Sequence, residues 1–142
     1  MKRYFCFLLM IIGLPLLLGM GAQGGVPTDK IPVPAKKFTA TYIDQTDVTT
    51  ECMDASIEGT TFLDGKKGEG TFAVAFENIQ QIVFRQYAEK FYGQITLRDG
   101  SSLELVISKD RKAYGRTKFG TFQIRLNDLK KMIIDPALQK KI

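Results

Sequence analysis

Residues 70–84 read GTFAVAFENIQQIVF, and residues 120–134 read GTFQIRLNDLKKMII. Both stretches begin with Gly-Thr-Phe, continue with apolar residues at alternate positions and end in an apolar run. Alternation with a period of two is typical of a strand that buries one face. The next apolar residues, such as Ile79 and Ile82 in the first stretch, are spaced by three, which indicates one helical turn. Each stretch therefore predicts a strand, a short helical turn and a second strand.

The flanking sequence predicts further strands around each copy. Residues 91–97 and 103–107 carry alternating apolar residues, and Asp99-Gly100 between them predicts a hairpin with a two-residue turn of positive φ. The remaining strands are expected at residues 38–43, 48–53, 60–63 and 114–119.

These elements predict an all-β, antiparallel fold built from two repeats, at residues 38–84 and 91–134. Either a β-sandwich or a pair of fused small β-barrels accommodates them. One repeat of roughly fifty residues buries too little apolar surface to be stable alone. The two copies are therefore expected to share one core, with Phe72 and Phe122 as equivalent core residues.

The N-terminal region predicts export. Lys2 and Arg3 precede an apolar run, and small residues follow it, which is the pattern of a signal peptide at residues 1–24. A retained anchor is the alternative, but the apolar run is shorter than the ~20 residues that a membrane-spanning helix needs. We therefore expect a periplasmic or secreted protein without a membrane span after cleavage. Residues 25–37 contain three prolines and predict a linker, and residues 135–142 form a basic tail.

The composition excludes several kinds of catalytic site. The 142 residues include no His and two Cys. Without His, no Ser-His or Cys-His pair, no imidazole base and no zinc site of the His type can form. Cleavage near Gly24 leaves only Cys52, for which a buried apolar thiol is favoured over an intermolecular disulfide or a reactive thiol. No metal site and no cofactor is predicted.

Charge is distributed unevenly along the chain. Residues 25–84 hold 5 basic and 9 acidic side chains, whereas residues 85–142 hold 13 and 6, so the second half favours an anionic partner. Long cationic side chains beside an aromatic ring can hold phosphate or carboxylate. The predicted ligand-binding residues are Lys109, Arg111, Lys112, Tyr114, Arg116 and Lys118, with Arg116 and Lys118 on one face. The alternative is a lysine-rich loop that keeps a sheet edge soluble.

Two further patterns are less specific. Residues 65–70, GKKGEG, lack the spacing of a phosphate-binding loop and predict a flexible hairpin loop. Acidic residues that recur every three or four positions favour a solvated face, and these are Asp44, Asp47, Glu51, Asp54 and Glu58. Calcium binding and glycoside hydrolysis by a carboxylate pair are the alternatives.

The order of strand, DG hairpin, strand, strand, GTF strand, helical turn and strand resembles the five-stranded barrels of the SH3-like and Sm-like kind. Over residues 38–134 the chain also resembles uncharacterised exported bacterial proteins with duplicated DG…GTF-x-I-x-F-x-x-I segments. This resemblance implies a binding or scaffolding domain and supplies no catalytic residue.

A non-enzymatic binding or interaction domain of the cell envelope is the favoured function. Its expected partner is an anionic envelope component or another protein, and not nucleic acid, because the chain is expected to be exported. One alternative is a self-assembling structural subunit, a homo-oligomer in which the acidic half of one copy meets the basic half of the next. The other is a hydrolase that uses carboxylates alone.

Overall fold

The computed structural model describes residues 31–136, so the predicted signal peptide, the start of the predicted linker and residues 137–142 of the tail lie outside the described residues. The strands in this range are β1 (Thr39–Asp44), β2 (Thr49–Ile57), β3 (Phe62–Lys67), β4 (Gly70–Ala75), β5 (Ile79–Tyr87), β6 (Lys90–Leu97), β7 (Ser102–Val106), β8 (Lys112–Thr117), β9 (Gly120–Arg125) and β10 (Leu129–Asp135). Two 3-10 helices, Phe76–Asn78 and Leu126–Asp128, precede β5 and β10. No helix between residues 31 and 136 is long and apolar enough to cross a membrane.

All ten strands belong to one antiparallel sheet, which confirms the predicted all-β, antiparallel class. Their order across the sheet is β4-β3-β7-β6-β5-β10-β1-β2-β8-β9. The sheet curls into a half-barrel, so a single continuous surface encloses the apolar side chains. Both copies contribute to one buried cluster, in which Phe76 and Leu126 are equivalent and fully buried. The shared core expected from the repeat length is therefore present.

The strand order has an internal twofold symmetry. Exchanging β1–β5 with β6–β10 reverses the order and otherwise leaves it unchanged, and the β5–β10 pair lies at the centre. The two halves of the sheet do not coincide with the two sequence copies, however. Residues 62–106 supply one half, β4-β3-β7-β6-β5, whereas the other half combines β8–β10 with β1 and β2. The copies have in effect exchanged their first two strands.

The spacing of three between Ile79 and Ile82 comes from a β-bulge and not from a helical turn. Both residues lie in β5 and are fully buried, and the register against β6 shifts between Ile79 and Gln81. An extra residue in a strand lets positions three apart face the same side. The second copy has the same irregularity, because the β1–β10 register shifts between Ile43 and Asp44. The helical turns do exist, but they lie three residues earlier than predicted.

The expectation that Phe72 is a core residue is wrong. Its side chain is 46% exposed, because β4 is an edge strand and has a neighbour on one side only. Phe122, its counterpart on the other edge strand, is partly buried and stacks on Tyr42, with a ring-centroid distance of 5.6 Å. Apolar alternation predicts which face of a strand points inward. It does not predict whether the strand lies at the centre or at the edge of the sheet, which decides how deeply that face is buried.

Turn geometry supports the equivalence of the two copies. The predicted β6–β7 hairpin is present, but its loop has three residues, and Gly100 alone has positive φ, at 92°. The β1–β2 hairpin has the same hydrogen-bond pattern, with Asp47 at φ 66° in place of the glycine. The flexible loop predicted at residues 65–70 is shorter than expected, because β3 continues to Lys67.

Two glycines let neighbouring strands approach closely at equivalent points. A Cβ added to Gly65 on β3 would lie 2.8 Å from both the Leu105 Cβ and the Val106 carbonyl oxygen of β7. A Cβ added to Gly115 on β8 would meet the side chain of Cys52 on β2 in the same way. The junctions β3–β7 and β2–β8, where the exchanged strands meet the other copy, therefore have no room for a methyl group.

We expect Gly65→Ala and Gly115→Ala each to destabilise the fold by about 1–3 kcal/mol, because the added methyl group overpacks a strand junction. Gly70→Ala is the matched control. Its Cβ would lie 3.7 Å from the Lys67 carbonyl oxygen, an ordinary van der Waals contact, and the substitution should change stability by less than about 0.5 kcal/mol. Urea unfolding of the three variants measures the difference. Equal stability of all three would contradict the close packing of these junctions.

Candidate functional site

The β8–β9 hairpin carries a polar row on the outer face of the sheet. Ala113 and Gly115 of β8 are buried, so the residues that alternate with them point outward. Residues directly opposite each other in an antiparallel pair share a face. We call the resulting surface the basic face, and its register pairs are Lys112 with Arg125, Tyr114 with Gln123 and Arg116 with Thr121.

Arg111 lies outside the basic face and has a structural contact. Its Nη1 is 2.7 Å from the Asp64 Oδ1 and also donates a 3.1 Å hydrogen bond to the Asp64 carbonyl oxygen. The side chain is only 20% exposed. Asp64 belongs to β3, in the other half of the curled sheet, so this ion pair ties the two halves together.

The other predicted residues lie in different surroundings. The Lys112 backbone N–H donates a 2.7 Å hydrogen bond to Glu58 Oε1, and Lys112 is half-buried. Arg116 Nε lies 3.7 Å from Asp54 Oδ2, so its charge is partly balanced. Lys118 follows the end of β8, and its Nζ lies 5.0 Å from the centre of the Phe119 ring. Lys109 is exposed in the loop before β8. Of the six predicted residues, the structure brings Lys112, Tyr114 and Arg116 together in one row.

Sequence reasoning missed Arg125 and Gln123. Both lie on β9, where they face Lys112 and Tyr114 across the hairpin. A two-residue turn at Lys118-Phe119 would have implied this register. Thr117 then pairs with Gly120, and the pairing continues residue by residue along the two strands until Lys112 lies opposite Arg125. The basic residues that cluster in the sequence therefore supply only the β8 strand of a surface that β8 and β9 form together.

The cations of the basic face are only partly balanced by acidic side chains. Lys112 and Arg125 lie directly opposite each other, and like charges in that position repel. Arg125 Nε is 3.3 Å from Asp128 Oδ2, but among the described residues no acidic oxygen lies within 4 Å of the Lys112 ammonium. A shallow hollow of about 450 Å³ lies beside the pair. Burial and the nearby Glu58 raise the pKa of Tyr114, so its hydroxyl is a hydrogen-bond donor at neutral pH.

A groove of about 800 Å³ borders the basic face. It separates the start of β2 from the tip of the β8–β9 hairpin, because β2 pairs with β8 only from Met53 onward. Arg116 and Lys118 both line it, although β8 ends between them. Phe119, at the hairpin tip, is 88% exposed. The groove thus offers cations and an aromatic ring next to the basic face.

The acidic residues of the first copy are dispersed among separate contacts. Asp44 accepts hydrogen bonds from the Thr46 side chain and from backbone N–H groups of the β1–β2 turn, which lower the pKa of its carboxyl. Asp54 contacts Lys37 and Arg116, and Asp47 contacts Lys130. Within residues 31–136 no group of three or more Asp, Glu or Cys side chains is arranged to hold a metal ion.

Comparison with known proteins identifies a family. A family model described as "Uncharacterised protein" matches residues 34–136, which is more than half of the chain. The chain belongs to this family. The matched region begins before β1 and ends after β10, so it includes the basic face and both edges of the sheet. No curated protein and no solved structure matches the chain.

Tyr42 supports the basic face from beneath. Its ring is buried in β1, and its hydroxyl donates a 2.8 Å hydrogen bond to the Tyr114 carbonyl oxygen on β8. The β2–β8 register shifts between Met53 and Ser56, and a bulge of this kind leaves backbone groups without a ladder partner. Tyr42 thus satisfies a carbonyl of the strand that carries Lys112 and Arg116. Desolvation, together with the neighbouring Cys52, raises the pKa of the Tyr42 hydroxyl, which therefore stays protonated.

Tyr42→Phe should destabilise the protein by about 1–3 kcal/mol, because it leaves the partly buried Tyr114 carbonyl oxygen without its donor. Tyr87→Phe is the control, since Tyr87 is exposed, and it should change stability by less than about 0.5 kcal/mol. Thermal or urea unfolding gives both values. A Tyr42→Phe variant as stable as the wild type would show that the hydrogen bond does not support β8.

Cys52 is buried, and desolvation raises the pKa of its thiol to about 11. The folded protein should therefore resist alkylation at pH 8 and react only when unfolded. Because the pKa is raised above its ordinary value, Cys52 contributes stability that is complete below about pH 8.5 and is lost as the pH rises toward 11.

Unfolding measured from pH 7 to 11 on a Cys6→Ser background, with and without Cys52→Ala, isolates this contribution. The Cys52→Ala variant should lose less stability over that range than its parent. Rapid alkylation of the native protein at pH 8 would contradict the burial of the thiol.

Proposed function

We propose that this chain is a non-enzymatic binding domain of the cell envelope, periplasmic or secreted, which holds an anionic envelope component on the basic face. The observation that carries the proposal is the opposition of Lys112 and Arg125 on β8 and β9, with Arg116 in the same row. An anion held between Lys112 and Arg125 relieves their repulsion and accepts charge-assisted hydrogen bonds from both. The N-terminal pattern of charged, apolar and small residues supports export.

The surroundings of the pair fit a phosphate or carboxylate group. The guanidinium of Arg125 can donate two parallel hydrogen bonds, and the Lys112 ammonium supplies a second charge. The Tyr114 hydroxyl and the Gln123 amide lie in the next register pair and add neutral donors. Lys118 and Phe119 at the hairpin tip extend the surface. A polymer or headgroup larger than a single anion could therefore contact the hairpin along its length.

The equivalent positions of the first copy show that the fold does not require these charges. Phe62 and Ala75 form the register pair on β3 and β4 that corresponds to Lys112 and Arg125. The same backbone geometry is therefore built without cations at those two positions. The charges of Lys112 and Arg125 are therefore specific to the basic face and are not needed to form the sheet.

The test is a crosslinking pull-down from native envelope with the wild type and with the triple variant Lys112→Ser, Arg116→Ser and Arg125→Ser. Arg111 is left intact, because its ion pair with Asp64 is structural. The control variant, Lys66→Ser with Lys67→Ser and Lys90→Ser, removes the same charge from exposed positions elsewhere. We expect the wild type and the control to recover one anionic component that the triple variant loses.

Titration with polyphosphate and with vesicles of anionic lipid then distinguishes a polymer from a headgroup. The triple variant should bind the preferred probe more than about tenfold more weakly, because it loses charged hydrogen bonds. Wild-type binding should also weaken with added salt. Equal recovery and equal affinity for all three proteins would overturn the proposal.

A further inference from the structure

The two edges of the sheet have the same backbone and opposite surface chemistry. β4 and β9 are the first and last strands of the sheet order, and each follows a tight turn from the strand beside it. Edge strands present unpaired N–H and C=O groups that can pair with another chain, and proteins normally protect them with charged side chains, prolines or bulges.

The edge at β9 has this protection. β9 ends in Arg125, and Lys112 and Arg116 lie beside it on β8. Pairing two β9 edges would bring these cations from both copies together on one face, which is unfavourable.

The edge at β4 has no charge of its own, and the β3 residues beside it on the outer face, Asp64 and Lys66, are of opposite sign. Its sequence, Gly-Thr-Phe-Ala-Val-Ala, contains no charged residue and no proline, and its six residues pair with β3 without a register shift. Gly70 to Ala73 are exposed, and Phe72 is 46% exposed. On β3, Phe62 is 38% exposed and shares the outer face with Ala75. An uncharged and exposed edge strand without proline is the type of edge that pairs with another strand.

We propose that β4 is a dimerisation edge, at which two copies of this chain pair their β4 strands antiparallel about a twofold axis. A second copy fits this edge because it brings the same uncharged strand, so no charged side chain lies directly opposite another between the two β4 strands. Residues on opposite strands must share a face, which restricts the register to alternate settings. In the setting centred on Ala73, each Phe72 lies opposite Val74 of the second copy on the inner face. The exposed surface of Phe72 then lies at the junction, against the partly buried Val74 of the second copy.

This arrangement differs from the head-to-tail assembly considered from charge alone. In the head-to-tail assembly, the acidic half of one copy contacts the basic half of the next, so further copies can be added without limit. In a β4–β4 contact both copies use the same surface, so the assembly closes as a dimer. It leaves both basic faces at the outer ends of the combined sheet. The inference is independent of the ligand of the basic face.

Sedimentation velocity of the full-length chain, produced with export so that any processing is retained, tests the proposal over a range of concentrations. Ala73→Lys places a charge in the middle of the β4 edge and should convert the dimer to a monomer. Gln123→Lys places the same charge at the equivalent position of β9 and should leave the dimer intact. Thermal unfolding of both variants establishes that each is folded.

Several outcomes would overturn the proposal. A wild type that remains monomeric at the highest soluble concentration rules out the dimer, and a dimer that persists in folded Ala73→Lys places the contact elsewhere. Assemblies larger than a dimer that both variants abolish would indicate a β4–β9 head-to-tail contact. The triple variant of the basic face should still form the dimer, so loss of ligand binding and loss of dimerisation are separately measurable.

Discussion

The antiparallel pairing of β5 with β10 joins the two halves of the molecule. Three register pairs make this junction, and at its centre Met132 lies opposite Ile82, both fully buried. Every other strand lies to one side of it, so the continuity of the ten-stranded sheet passes through these residues. The two 3-10 turns lead directly into the two strands and anchor them with Phe76 and Leu126. The repeated Gly-Thr-Phe stretch therefore encodes both an edge strand and half of the central junction.

The parts of the fold that depend on neighbouring residues were predictable from the sequence. Apolar alternation gave the all-β class and most strands, and Asp99-Gly100 gave the β6–β7 hairpin. The bulge in β5 cannot be told from a helical turn by sequence, because both structures place apolar residues three apart on one face. The burial of Phe72 could not be predicted, because it depends on whether a further strand lies beside β4.

The same distinction explains what was found and missed at the basic face. Lys112, Tyr114 and Arg116 alternate along one strand and could be recognised as a row. Arg111 belongs to the same basic stretch of sequence, but its partner, Asp64, lies 47 positions away. No local pattern therefore distinguishes Arg111 from the residues of the basic face. Arg125 becomes part of the surface only through the cross-strand register. A duplicated backbone thus supports two different surfaces, because its outward positions are free to vary while Gly65 and Gly115 hold the same internal contacts.

The exchange of strands between the copies has a consequence for how the chain folds. β3 to β7 are contiguous, and each of their tight hairpins can close as soon as the residues are available. β1 and β2 can form only their own hairpin until β8 and β10, from the far end of the described chain, come to lie beside them. Contacts between such distant residues slow folding, because a long loop must be closed before they are made. As the protein folds, β3 to β7 can therefore assemble early, whereas β1 and β2 join the sheet only after β8 and β10 are in place.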